Sequence, residues 1–127
     1  KKLAAVAQEH AKKNAWDIIV SIVDSGGNEV LLERMDNAQR GSIAVAEKKA
    51  KCAVMFRRPT KFFQDTIAAG GDGMRVLTAP GAIAIEGGVP IIVDGKIIGA
   101  IGISGVTSAQ DGECAQAALD SLAEKAK

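Results

Sequence analysis

The chain has 127 residues, 47% of them hydrophobic and 24% charged, which are ordinary globular values and exclude a disordered chain. Lys plus Arg number 16 against 15 Asp plus Glu, a net charge of +1, so there is no overall field for a polyanion. Aromatics are only 3%, which excludes a stacking platform for single-stranded nucleic acid, and no apolar run approaches the roughly 20 residues that cross a bilayer.

Leu3 to Lys13 reads as a helix, since Leu3, Val6, Ala7, His10 and Ala11 share one face at helical spacing. Asp17 to Asp24 is rich in β-branched residues and reads as a strand. Ser25-Gly26-Gly27-Asn28 is a turn, and Glu29 to Arg34 returns as the second strand of an antiparallel hairpin. Ser42 is placed to cap a helix from Ile43 to Met55, with Ile43, Ala46, Ala50, Ala53 and Val54 facing inward. Arg58-Pro59 ends it, because proline disfavours the α region at the residue before it. Thr60 caps a short helix that stops at Gly70-Gly71. Gly70 to Gly81 has no clear period and reads as a long loop of the kind that often carries function.

From Ala82 onward the signal is β. Ala82 to Ile85 is a short strand, Gly87 to Pro90 a turn, and Pro90 to Val93 a second strand. Asp94-Gly95 is a type I′ hairpin signal leading into Lys96 to Ser104. Gly99, Gly102 and Gly105 recur every third residue, so they do not mark one strand face; they predict close approach of another backbone or a ligand. Ala109 to Ala126 closes the chain as a helix, with Ser108 as cap and Asp111 and Glu113 complementing its dipole. The order predicts one α+β domain over residues 1–127, a five-stranded antiparallel sheet with flanking helices.

Several motifs are weighed on context. GAIGISG at Gly99 to Gly105 lacks the strand-to-helix setting of a dinucleotide loop. Gly102 to Val106 approaches a nucleophile elbow but ends in Val106, with His10 as the sole histidine. Lys48, Lys49, Lys51, Arg57, Arg58 and Lys61 form a basic run, read either as a solvated face or as a rim for a carboxylate or phosphate. The two cysteines, Cys52 and Cys114, have no CxxC spacing, which argues against structural zinc. They read as small buried hydrophobes in a reducing compartment, so a cytoplasmic location is expected. The first residue is Lys rather than Met, so the chain reads as trimmed, and a secreted or periplasmic origin stays open. A lone histidine such as His10 is usually a packing or surface residue, although imidazole is also the usual axial donor to haem iron.

Together the strings IVSIVDSGGNEVLLERMDNA, IAVAEKKAKCA, RPT, GGVPI, DGKIIGAIGISG and the pair Gln110-Asp111 resemble the GlcG family. That family includes the haem-binding HbpS-like proteins and the C-terminal domain of PduO-type proteins. The match runs over nearly the whole chain; Val106 stands where the family usually has a second glycine. The resemblance implies a profilin-like or PAS-like domain, homo-oligomers, and links to haem or corrinoid binding, haem degradation, and glycolate or diol use. Carried over residue by residue, it points to Arg34 and Asp36 of RMD, Lys49, Arg58 and Thr60 of RPT, and Gly87 and Gly88 of GGVP. On this reading Lys49, Arg34 and Arg58 hold carboxylates, such as haem propionates or a small organic acid. The glycines would let a flat ligand approach the backbone, and His10 is the histidine available as haem ligand. The expectation is a small-molecule-binding protein for haem or a corrinoid, with no nucleic-acid or membrane partner. The alternatives are an enzyme or accessory protein acting on an organic acid or aldehyde, using Lys49 for charge stabilisation or as a nucleophile, and an oligomeric scaffold.

Overall fold

Two hairpins build one antiparallel sheet in the computed structural model, which describes residues 1–125. The first joins β1 (Ile19–Asp24) to β2 (Glu29–Arg34), and the second joins β3 (Gly88–Val93) to β4 (Lys96–Ser104). The strand order is β2-β1-β4-β3, so the two hairpins meet along β1 and β4, with Ile19 opposite Ser104 and Ile22 opposite Ile101. Each hairpin has its own turn chemistry. The Asp24 carboxylate accepts the Gly26 and Asn28 amides at 2.9 Å each. Asp94 and Gly95 take φ of 51° and 76°, as a type I′ turn requires.

The alternation of β1 and β4 sends side chains to two helical layers. On one face, α1 (Lys2–Lys13) and α4 (Ser108–Lys125) pack Ala4, Ala7, Ala11, Ala115 and Ala118 against Val20, Ile22, Ile101 and Ile103. On the other, α2 (Ser42–Phe56) lays Ala46, Ala50 and Ala53 over Ile19, Val23 and Ala100. Alanines at these contacts bring helix backbone close to sheet. Gly102 completes that approach: a Cβ there would strike the Ala46 carbonyl and lie 2.5 Å from the Ala50 nitrogen.

Among the described residues the sheet has four strands, not five. Ala82 to Ile85 runs as irregular backbone, and side chains, not a sheet neighbour, take one of its amides and the amide just after it. The Ile83 N–H donates to Cys52 Sγ at 3.4 Å and the Glu86 N–H to Gln64 Oε1 at 2.8 Å. The following strand begins earlier than expected, at Gly88. Gly70 to Gly81 is not a loop throughout; Gly71–Thr78 is a 3-10 helix, whose three-residue turn escapes a search at 3.6. A short helix, α3 (Lys61–Ala68), precedes it. β1 starts two residues later than expected, after Ala15 turns the chain with φ 59°. Ser42 does not cap α2; it is buried in the first turn, where Gln39 Nε2 donates to its Oγ at 2.9 Å. The helix ends in a left-handed Arg57 rather than at Pro59. The expected last residue of α4, Ala126, lies outside the described residues. Cys52 and Cys114 are buried and unpaired with each other. No helix of the described residues is long and apolar enough to cross a membrane.

Candidate functional site

Lys49 lies on the inner face of α2 and is fully buried. Its Nζ donates to the Ile103 carbonyl at 2.8 Å and to Asp111 Oδ2 at 3.0 Å. Asp111 belongs to the first turn of α4, is also buried, and its other oxygen accepts the Val106 N–H at 3.1 Å. Burial pulls the Lys49 ammonium below its ordinary pKa, opposed by the Asp111 carboxylate. Burial likewise pushes Asp111 above the ordinary carboxylate range, opposed by Lys49. The pair ties α2 to the end of β4 and the start of α4.

The glycine turn is pressed against this pair. Gly87 has φ 136°, and a Cβ there would lie 2.6 Å from the Ile103 oxygen and 2.8 Å from Lys49 Nζ. At Gly88 a Cβ would strike the Lys49 carbonyl and come within 2.9 Å of Thr60 Cγ2. Thr60 is buried and its N–H donates to the Gly88 carbonyl at 2.9 Å. Its hydroxyl accepts the Gly88 N–H at 3.0 Å instead of capping α3. The structure therefore brings Lys49, Thr60, Gly87 and Gly88 together and adds Asp111 and the Ile103 carbonyl. Over the glycines opens a cleft of about 420 Å3, walled by Pro59, Lys61, Glu86, Gly112 and Glu113. Lys49 itself is shielded from that cleft; its side chain is 1% exposed.

Arg34 and Arg58 lie elsewhere. Arg34 Nη1 donates to the Asp36 and Ala38 carbonyls at 2.9 and 3.3 Å, bracing its own turn. Asp36 borders a separate cleft of about 720 Å3 between that turn and α1, beside Trp16 and Lys12. Arg58 Nε donates to the Phe56 carbonyl at 3.0 Å, and its guanidinium sits 4.6 Å over the Phe62 ring. Among the described residues neither arginine shares a hydrogen-bond partner with Lys49, whose partners are the Ile103 carbonyl and Asp111.

His10 stands on the α1–α4 face. Its Nε2 lies 2.6 Å from Glu113 Oε2, and its ring leans on Trp16 at 6.0 Å between centroids. Beside it is a cleft of about 410 Å3 lined by Ala5, Val6, Glu9, Lys13 and Ala117. Glu113 borders the glycine cleft as well, so it stands between the two. Glu113 and Asp111 were both readable as dipole-complementing acids at a helix start, but nothing in their spacing marked a partner on a distant element.

The family model described as "Haem degrading protein HbpS-like" matches residues 1–120. Protein GlcG of Escherichia coli strain K12 is 40% identical over 102 residues, covering 80% of this chain and 75% of GlcG. Among solved structures, Klebsiella pneumoniae protein ORFY superposes with a TM-score of 0.89 at 31% identity, covering 96% of this chain and 86% of ORFY. A PduOC:heme complex superposes with a TM-score of 0.83 at 32% identity, covering 94% of this chain and 88% of PduOC.

Proposed function

The chain belongs to the HbpS-like family, and on that premise we propose that it binds haem against the α1–α4 face, with His10 toward the iron. The observation that carries this reading is the position of His10. The histidine side chain is 31% exposed at the lip of a cleft lined by Ala5, Val6 and Ala117. Small side chains leave a flat apolar bed, imidazole is the usual haem donor, and Lys13 stands beside it for a propionate. Haem bound here would supply an iron for which His10 would be the imidazole donor; ligation through Nε2 would require Glu113 to give up its contact with that nitrogen. The heme held by PduOC, a structure of the same fold, supports the choice of ligand.

In this reading Lys49, Asp111, Thr60, Gly87 and Gly88 are the scaffold beneath the neighbouring cleft, and Arg34 and Arg58 brace their own turns. We read the chain as a homo-oligomer as well. Val30, Leu77, Ile92 and Ile98 are each more than half exposed, and association would cover them.

Haem titration of the apo-protein followed by absorbance tests the site, with His10→Ala alongside. The expected result is a saturable, shifted Soret band in the parent and its loss in the variant. An unchanged band and affinity in His10→Ala would remove His10 from the site.

A further inference from the structure

The basic run from Lys48 to Lys61 is only partly accounted for by these contacts. Lys49 is buried on Asp111, Arg58 lies on Phe62, and Lys61 pairs with Asp65 at 2.7 Å. Lys48 and Lys51 are exposed and form no ion pair among the described residues. Both border a cleft of about 470 Å3 whose other lining residues are Met55, Phe56, Pro80 and Gly81. That volume falls within the roughly 300–1,000 Å3 of small-molecule sites.

The cleft has two fixed walls. One is the outer face of α2. The other is the Pro80-Gly81 turn, anchored to α2 through the 3.4 Å contact from the Ile83 N–H to Cys52 Sγ. Gly81 has φ 83°, and a Cβ there would meet nothing within 4 Å, so the turn leaves its side of the cleft open. Met55 is 59% exposed, a large apolar group left uncovered beside two unpaired cations. Lys48 and Lys51 are three residues apart on one helix face, where Cβ atoms stand about 5–6 Å apart. The Lys51 stem and Met55 run beside the Gly27 turn, within 3.8 Å of where a Cβ there would stand. At the spacing of Lys48 and Lys51, two flexible lysine side chains are long enough to meet on one carboxylate. The polarisable Met55 thioether and the Phe56 ring offer the matching surface for an apolar chain or ring.

We propose that this cleft binds a small amphiphilic monocarboxylate, with the carboxylate between Lys48 and Lys51 and the apolar body on Met55 and Phe56. The site lies on the α2 side of the sheet, the face opposite that of His10, and does not depend on haem binding there. Of the two readings of the basic run, a solvated face or a rim for an anion, the proposal takes the second and confines it to Lys48 and Lys51.

The test is an amide-resolved NMR titration of the whole chain with octanoate, with octanol as the uncharged control. Shifts should saturate on Lys48 to Phe56 and on Gly81 to Ile83, and octanoate should bind more tightly than octanol. Lys48→Gln with Lys51→Gln should weaken octanoate roughly tenfold while leaving circular dichroism unchanged, because both side chains are exposed. His10→Ala should leave octanoate affinity as it was. Shifts centred on α1 and α4, an affinity indifferent to the two lysines, or no saturation at millimolar octanoate would each overturn the proposal. So would a haem-dependent Soret change that is lost with Lys48 and Lys51, since it would give the cleft to a tetrapyrrole.

Discussion

Lys49 Nζ stands 3.0 Å from Asp111 Oδ2, a pair of residues 62 positions apart that joins α2 to α4, and both side chains are almost sealed from solvent. Removing both charges from water is costly, which is why burial moves each group toward its neutral form. Further hydrogen bonds offset that cost: Ile103 accepts from the ammonium and Val106 donates to the carboxylate. It fixes where α4 begins, and so where Glu113 meets His10.

Breaking the pair from one side should be severe. Lys49→Met leaves a buried carboxylate without its cation, a change that costs about 3–5 kcal/mol. Asp111 already titrates above its ordinary value because of burial, and losing Lys49 raises it further. A carboxyl whose folded pKa exceeds its unfolded value gives stability that is present at low pH and is lost as pH rises through the folded pKa. Lys49→Met should therefore resist urea better near pH 4 than near pH 8, relative to the parent. Adding Asp111→Leu should recover much of the loss at neutral pH. Urea curves at both pH values decide it; a deficit in Lys49→Met that shrinks as pH rises would contradict the assignment.

The glycines at the close contacts should tolerate no side chain. Gly88→Ala drives a methyl into the Lys49 carbonyl and toward Thr60, and Gly102→Ala drives one into the Ala46 carbonyl. Backbone cannot yield as a flexible side chain does, so each should cost about 3 kcal/mol. Gly41 is the control: a Cβ there meets nothing within 4 Å, and its φ is −60°. Gly41→Ala should stay within about 0.5 kcal/mol of the parent. Equal thermal stability of Gly88→Ala and Gly41→Ala would show that the strand start relaxes without cost.

Local chemistry was the legible part of this fold. The first hairpin was read from the Ser25-Gly26-Gly27-Asn28 turn and the second from Asp94-Gly95, since a turn is specified by adjacent residues; the Asp24 carboxylate that holds the first turn was not foreseen. The first two helices followed from apolar spacing, and the third and the last from capping residues and a glycine stop. The missing fifth strand was not legible, because Ile83 and Glu86 give their amides to Cys52 and Gln64, side chains far away in sequence. The candidate site divided in the same way. The motif RPT and the motif GGVP do meet, through Thr60 and Gly88, yet the partner of Lys49 lies on the last helix. Arg34 and Arg58 are charged residues in motifs whose contacts turned out to be local, a distinction that residue type alone does not carry.

The thiols should be inert while the chain is folded. Burial pushes the Cys114 thiol up to about 12, with the Asp111 and Glu113 carboxylates adding to it. Burial also raises Cys52, against the Ile83 amide that donates to its sulfur. Only the thiolate alkylates at a useful rate. Iodoacetamide at pH 8 should leave both cysteines unmodified in the native protein and label both in guanidinium, as read by mass. Native labelling as fast as denatured labelling would mean that these sites open freely.

Glu113 should oppose haem at His10. Its Oε2 is 2.6 Å from Nε2, so haem bound through that nitrogen, as proposed above, would have to displace the carboxylate. The ion pair is partly exposed, at 31% and 56% for the two side chains, and pairs of that kind contribute about 1 kcal/mol or less. Glu113→Ala should therefore tighten haem by up to about fivefold at neutral pH. The gain should vanish in Glu113→Ala with His10→Ala, because the competition requires both groups. Soret titrations of the four proteins measure it directly. Weaker binding in Glu113→Ala would show that the carboxylate orients the imidazole for iron, and the competing role would have to be abandoned.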